Sequence, residues 1–122
     1  MTVRADDRGQ AVVELALVLP LVVLFVLGAL QVAVVARDQL AIEYVAREAA
    51  RAAAVSADPG GAANAAAQRV ANLEPIDVSV RVAGDIVRVH VRYTNATDVA
   101  LIGAAISDVT LEATAAMAWE PP

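Results

Sequence analysis

The longest apolar run in the chain extends from Leu15 to Ala36 and contains one polar side chain, Gln31. Fifteen of its 22 residues are Leu, Val or Phe. A helix rises 1.5 Å per residue, so this run spans roughly 33 Å, enough to cross a bilayer core of about 30 Å. No other apolar run in the sequence approaches this length. The sequence therefore predicts a single transmembrane helix.

The residues on either side of the run predict its orientation. Arg4 and Arg8 precede the run and Arg37 follows it, and the part that follows is much the longer. Positive charge favours the cytoplasmic side of a membrane helix, so we expect a cytoplasmic N-terminus and an extracytoplasmic C-terminal part. A removable secretory signal cut after Ala36 is an alternative, although the run exceeds the apolar core of roughly 7–15 residues usual in such signals.

Composition excludes several classes of function. The chain has no cysteine, a single histidine (His90) and a net charge of −5. These totals exclude disulfides, thiolate metal ligands and imidazole clusters, so we expect no metal and no cofactor. An acidic chain without clustered Lys or Arg is poorly suited to bind nucleic acid. The sequence also lacks nucleophile and phosphate-loop motifs, so we predict that the protein is not an enzyme.

The most informative single residue is Glu14, at the start of the apolar run. An acid in the first turns of a helix is favoured by the helix dipole, which is the simpler explanation. A carboxylate inside lipid is costly, however, and often marks a functional position. Glu14 is also the fifth residue after the Gly9–Gln10 bond, and Gly9 ends a short charged leader.

This arrangement resembles the class III signal of type IV pilins and pseudopilins. More specifically, the chain is similar to the TadE-like family of tight-adherence (Flp-type) pilus proteins. The similar stretches are R-G-Q-A-V-V-E-L-A-L-V-L-P at residues 8–20 and A-R-E-A-A-R at residues 46–51. The chain departs from the major Flp pilins at Leu15, where they commonly have Tyr, and it is longer than they are. A minor pilin or pseudopilin therefore fits better than a major subunit.

The resemblance implies a site for processing and assembly. Prepilin peptidase would cut after Gly9 and leave Gln10 as the mature N-terminus, open to methylation. The Glu14 carboxylate would meet the N-terminal amine of a neighbouring subunit. Independently of the resemblance, Pro20 removes a helical hydrogen bond and is expected to kink the helix, either as a tolerated bend or as a local opening that lets the helix pack during assembly. The implied partners are prepilin peptidase, other pilins or pseudopilins, the pilus assembly platform and the lipid bilayer. The implied location is the bacterial cytoplasmic membrane, then the cell surface or pilus after processing.

The residues after the membrane segment predict a continued helix. Strong helix formers fill residues 37–57, where Glu43 and Arg47 form a favourable i,i+4 pair. Leu40, Tyr44, Ala41 and Val45 supply its expected apolar side, and a row of small residues would let helices approach closely. That row is Ala46, Ala50 and Ala54. The segment D-P-G-G at residues 58–61 predicts a break, and residues 62–73 predict a second short helix.

Three alternating stretches then predict strands, at residues 76–82, 87–93 and 109–119. A turn at residues 83–85 joins the first two, and residues 95–107 are expected to form a loop. The predicted fold is α+β and pilin-like, with an antiparallel sheet on the alanine-rich helix. Its predicted parts are a leader (1–9), a transmembrane helix (10–36), an extracytoplasmic helix (37–57) and a small α+β domain (58–122).

One face of the predicted sheet is basic, with Arg81, Arg88 and Arg92 beside His90. Solvation or cross-strand pairing with Asp77 or Glu112 is the simpler explanation, and a docking surface for an acidic partner is the other. The alternative function for the whole chain is a membrane-tethered extracytoplasmic binding module, in which Gly9 and Glu14 would be incidental.

Overall fold

The computed structural model describes residues 3–95 and 108–122, so most of the connection predicted at residues 95–107 lies outside the described residues. The elements are α1 (Val3–Ala54), α2 (Pro59–Val70), β1 (Ile76–Ala83), β2 (Ile86–Asn95) and β3 (Val109–Ala118). The three strands form one antiparallel sheet. The predicted α+β class, with one long N-terminal helix and a three-stranded sheet, is confirmed.

The chain divides into two compact units, Met1–Ala33 and Val34–Pro122. In the first unit the side chains of residues 9–26 are all exposed, although most of them are apolar. Within the described residues, Gly9–Ala54 is a helix long and apolar enough to cross a membrane, by length and composition. These features are consistent with membrane anchoring.

The core of the second unit lies between one face of α1, the alanines of α2 and the inner face of the sheet. The α1 residues in this core recur at spacings of three and four, as one helical face requires. The sheet contributes alternate residues, because successive side chains of a strand point to opposite faces. The buried members with no exposed surface are Ile42, Ala49, Ala50, Ala53, Ala63, Ala67, Val87, Val89 and Val91.

The row of small residues on α1 is part of this core. Ala46, Ala50 and Ala54 are all buried within the second unit. Of the apolar side predicted on this helix, Val45 is buried and Ala41 is half-buried, but Leu40 and Tyr44 are 66% and 52% exposed, so the prediction is wrong for these two. Both lie two positions from Ile42, and two positions are about 200° apart around a helix. The sheet covers the Ile42 face and leaves Leu40 and Tyr44 outside.

The break between the helices lies three residues earlier than predicted, at residues 55–58. α1 ends at Ala54, and α2 begins at Pro59 and ends at Val70. The carboxylate of Asp58 caps α2 by accepting a hydrogen bond of 3.1 Å from the Gly61 N–H. Proline is tolerated in the first turn because its missing N–H would have no helical partner there. The D-P-G-G segment therefore starts the second helix, and its last three residues are not part of the break.

The sheet has the strand order β1-β2-β3, so β2 is central. A tight turn at Gly84 and Asp85 joins β1 to β2, and Gly84 has φ +61°, a conformation that favours glycine. After β3 the Trp119 indole N–H donates to the Ser56 carbonyl at 3.2 Å. This bond ties the end of the sheet to the residues just after α1.

Candidate processing and assembly site

Gly9, Gln10 and Glu14 lie on the first turns of α1 that have described side chains, and all three are exposed. The Gln10 side-chain amide donates to Glu14 Oε1 at 3.3 Å. Residues four apart are neighbours on a helix surface, which explains this contact. The structure therefore brings two of the predicted site residues together on one helical face.

Gly9 has no structural reason to be glycine. It lies inside a helix, where glycine costs about 1 kcal/mol relative to alanine, and a Cβ added at Gly9 would meet no atom within 4 Å. Its φ is not in the left-handed region. Gly28 has the same free surroundings further along α1. A side chain at either position fits the fold, so any requirement for glycine at residue 9 must come from another molecule.

Glu14 carries the negative charge of this site. Within the described part of the chain its hydrogen-bond partner is the neutral amide of Gln10, and no basic side chain lies within 4.0 Å of it. A carboxylate at the edge of hydrocarbon is stabilised by a cation or by further donors. The arrangement can therefore accept a positively charged group from outside the chain.

Pro20 follows Glu14 by six residues. Its ring removes the hydrogen bond that the Ala16 carbonyl would otherwise accept in a regular helix. The helix is nevertheless continuous on both sides of Pro20. The kink at this position stays a prediction, as do the roles of Gly9, Gln10 and Glu14.

The outer face of the sheet is the second polar region. Arg92 Nε donates to Glu112 Oε1 at 2.9 Å, so the predicted cross-strand pairing with Glu112 is confirmed for this arginine. His90 Nδ1 lies 2.9 Å from Thr114 Oγ1. A shallow cavity of about 520 Å³ covers this face. Its lining is Asp77, Ser79, Arg81, Arg88, His90, Arg92 and Thr114.

Sequence reasoning missed Asp38 and Tyr93 in the second unit. Asp38 is only 6% exposed. Burial raises the pKa of the Tyr93 phenol above its usual 10.0, and the negative charge of Asp38 raises it further. The burial of Asp38 could have been predicted from its position, because Asp38 lies one helical turn before Ile42 and therefore on the buried face of α1.

Residues 9–51 match the family model described as TadE-like protein. The match confirms the resemblance and includes Gly9, Gln10, Glu14, Pro20 and the A-R-E-A-A-R stretch. The match covers 43 of the 122 residues and is consistent with the association with tight-adherence pili that the resemblance implies. Neither the curated proteins nor the solved structures contain a significant match to the chain. Within the described residues no group of three or more His, Asp or Glu could hold a metal ion.

Proposed function

From the TadE-like match over residues 9–51, we propose that the chain is a pseudopilin or minor pilin that acts in assembly or priming of a Flp-type pilus. It works without catalysis, through packing of its membrane helix and through Glu14. Its partners are prepilin peptidase, other pilins or pseudopilins and the pilus assembly platform. It spans the bacterial cytoplasmic membrane once, with the N-terminus in the cytoplasm and the second unit outside.

The observation that carries the proposal is the family match, which begins at Gly9. The helix would be more stable with alanine there, and no contact or turn requires glycine. A peptidase that binds the chain closely at the bond to be cut supplies the missing reason, because a side chain would obstruct that approach. Cleavage after Gly9 makes Gln10 the first residue of the mature chain.

Glu14 then sets the register between subunits. The mature N-terminal amine is positive, and Glu14 has no cationic partner among the described residues of its own chain. Pairing the amine of one subunit with Glu14 of the next offsets part of the cost of placing each charge in lipid. Four residues separate the two groups, so parallel helices joined in this way are staggered by about 6 Å along their axes.

The experiment compares Gly9→Val with Gly28→Val by mass spectrometry of the mature N-terminus. Both positions accept a side chain without contact, so both variants should insert into the membrane alike. We expect the wild type and Gly28→Val to begin at Gln10, and Gly9→Val to retain the leader.

Two results would contradict the proposal. A wild-type chain that retains Met1, or one that begins at Arg37, would exclude processing at Gly9. Normal processing and function of Gly9→Val would favour the alternative of a membrane-tethered binding module, in which the glycine is incidental.

A further inference from the structure

The strand register arranges the outer face of the sheet as parallel rows, four of which contain one residue from each strand. The first row is Asp77, Arg92 and Glu112, and the second is Ser79, His90 and Thr114. The third row is Arg81, Arg88 and Ala116. The fourth row, nearest the Gly84 turn, is Ala83, Ile86 and Ala118. The face therefore changes from mixed charge at one end, through polar groups and the two arginines, to an apolar row at the turn.

In the first two rows the residues of β2 and β3 contact one another. Arg92 lies between two carboxylates and donates to Glu112 at 2.9 Å. His90 reaches the Thr114 hydroxyl at 2.9 Å, and its Nε2 lies 3.9 Å from Glu112 Oε2. These contacts give partners within the sheet to four of the six residues in the two rows.

The third row is different. Arg81 and Arg88 are exposed and directly opposite each other, and like charges in that position destabilise a strand pair. Neither forms an ion pair with any residue in the part of the chain that the structure describes. Two arginines side by side present several N–H donors suited to a carboxylate. The row thus costs the sheet free energy and offers a site for an acidic group.

An apolar side chain lies next to the two arginines. Ile86 is two residues from Arg88 on the same face and is 49% exposed. Its neighbours across the sheet are Ala83 and Ala118, which are too small to cover it. A ligand that fits this end of the sheet therefore combines a carboxylate with an apolar group, as an acidic protein segment does.

We propose that Arg81, Arg88 and Ile86 form a docking surface for an extended acidic segment of a partner protein. The first row favours a protein over a lipid surface. Asp77 and Glu112 lie about 14 Å from the arginine row, at two rows of roughly 7 Å each. A flat anionic membrane would meet those carboxylates as well as the arginines, whereas a protein segment can place acids over one end and a base over the other.

The test uses a short labelled peptide, Leu-Val-Glu-Val-Thr-Val-Lys, and its reversed sequence, so that both directions of docking are sampled. In an extended peptide the Leu, the Glu and the Lys share one face, with the Leu about 7 Å and the Lys about 14 Å from the Glu. Fluorescence anisotropy measures its binding to the full chain in phosphatidylcholine nanodiscs. Arg81→Gln and Arg88→Gln should each weaken binding by about tenfold or more, because each removes a charge-assisted hydrogen bond.

Arg51→Gln and Arg69→Gln are the matched controls, since both arginines are exposed and lie on helices outside this face. They should bind the peptide as the wild type does. Equal weakening in all four variants, equal binding of a Gln-for-Glu peptide, or no binding by either peptide would overturn the proposal. Capture by phosphatidylglycerol vesicles that depends on Arg81 and Arg88, without peptide binding, would overturn it in favour of a lipid headgroup.

Discussion

Ala50→Leu tests whether the small-residue row of α1 belongs to the internal core. Ala50 has no exposed surface, and its neighbours on the same face, Ala46 and Ala53, are 1% and 0% exposed. Leucine adds three carbon atoms where the helix, α2 and the sheet already meet. The side chain has no route to solvent from this position, so the surrounding core must shift.

The expected magnitude follows from the packing. Extra carbon atoms in a well-packed core cost about 1–3 kcal/mol, and the change in helix propensity from Ala to Leu is small by comparison. In a domain of this size each kcal/mol lowers the unfolding midpoint by about 4–8 °C. Ala50→Leu should therefore lower the midpoint by about 4–24 °C.

Trp119 provides the assay. It is the one tryptophan in the chain, and its indole N–H binds the Ser56 carbonyl, so its fluorescence reports whether the sheet is docked next to the end of α1. Thermal unfolding of the full chain in detergent gives the midpoint. Ala65→Leu is the control, because Ala65 is exposed on α2 and this substitution makes the same chemical change outside the core.

An unchanged midpoint in Ala50→Leu would refute the reasoning. If pilus output were lost at the same time, the alanine row would instead contact another subunit. A midpoint lowered equally by Ala65→Leu would show that leucine disturbs the helices themselves and not their packing.

Two further predictions concern charged groups. Glu14→Gln and Glu14→Ala should yield inserted, processed protein that fails in pilus assembly. The control Glu48→Gln should keep the wild-type pilus output. Unchanged assembly in Glu14→Ala would remove Glu14 from the mechanism. Because the pKa of Tyr93 is raised above 10.0 in the folded chain, its contribution to stability is complete below pH 10 and is lost as the pH rises through the higher folded value. Measured by unfolding at a series of pH values, Tyr93→Phe should reduce this alkaline destabilisation, and Tyr44→Phe, at an exposed tyrosine, should not. Equal dependence of stability on pH in Tyr93→Phe and the wild type would contradict the raised pKa of Tyr93.

Local patterns predicted the elements of the fold well, and their boundaries less well. Alternation located all three strands, because an apolar side chain at every second residue is a property of the strand itself. The start of α2 was misplaced because Pro59 and the two glycines after it are compatible both with a loop and with the first turn of a capped helix. The Asp58 carboxylate decides between them, through its bond to Gly61.

The candidate site divides in the same way. Gly9, Gln10 and Glu14 could be proposed from the sequence because the family pattern that they resemble lies within a few neighbouring residues, and their roles stay predictions. Asp38 and Tyr93 were missed because they are far apart in sequence, and only packing of the sheet against α1 brings their charges together.

The sequence by itself determined the long apolar helix and the number and type of the elements after it. These depend on hydrophobicity and short-range periodicity, which are properties of neighbouring residues. The tertiary structure decided which face of the alanine-rich helix is buried, since alanines on every side of the helix give no preference by hydrophobicity alone. It also decided that Arg81 stands opposite Arg88, because strand register depends on the turn and on packing between distant residues.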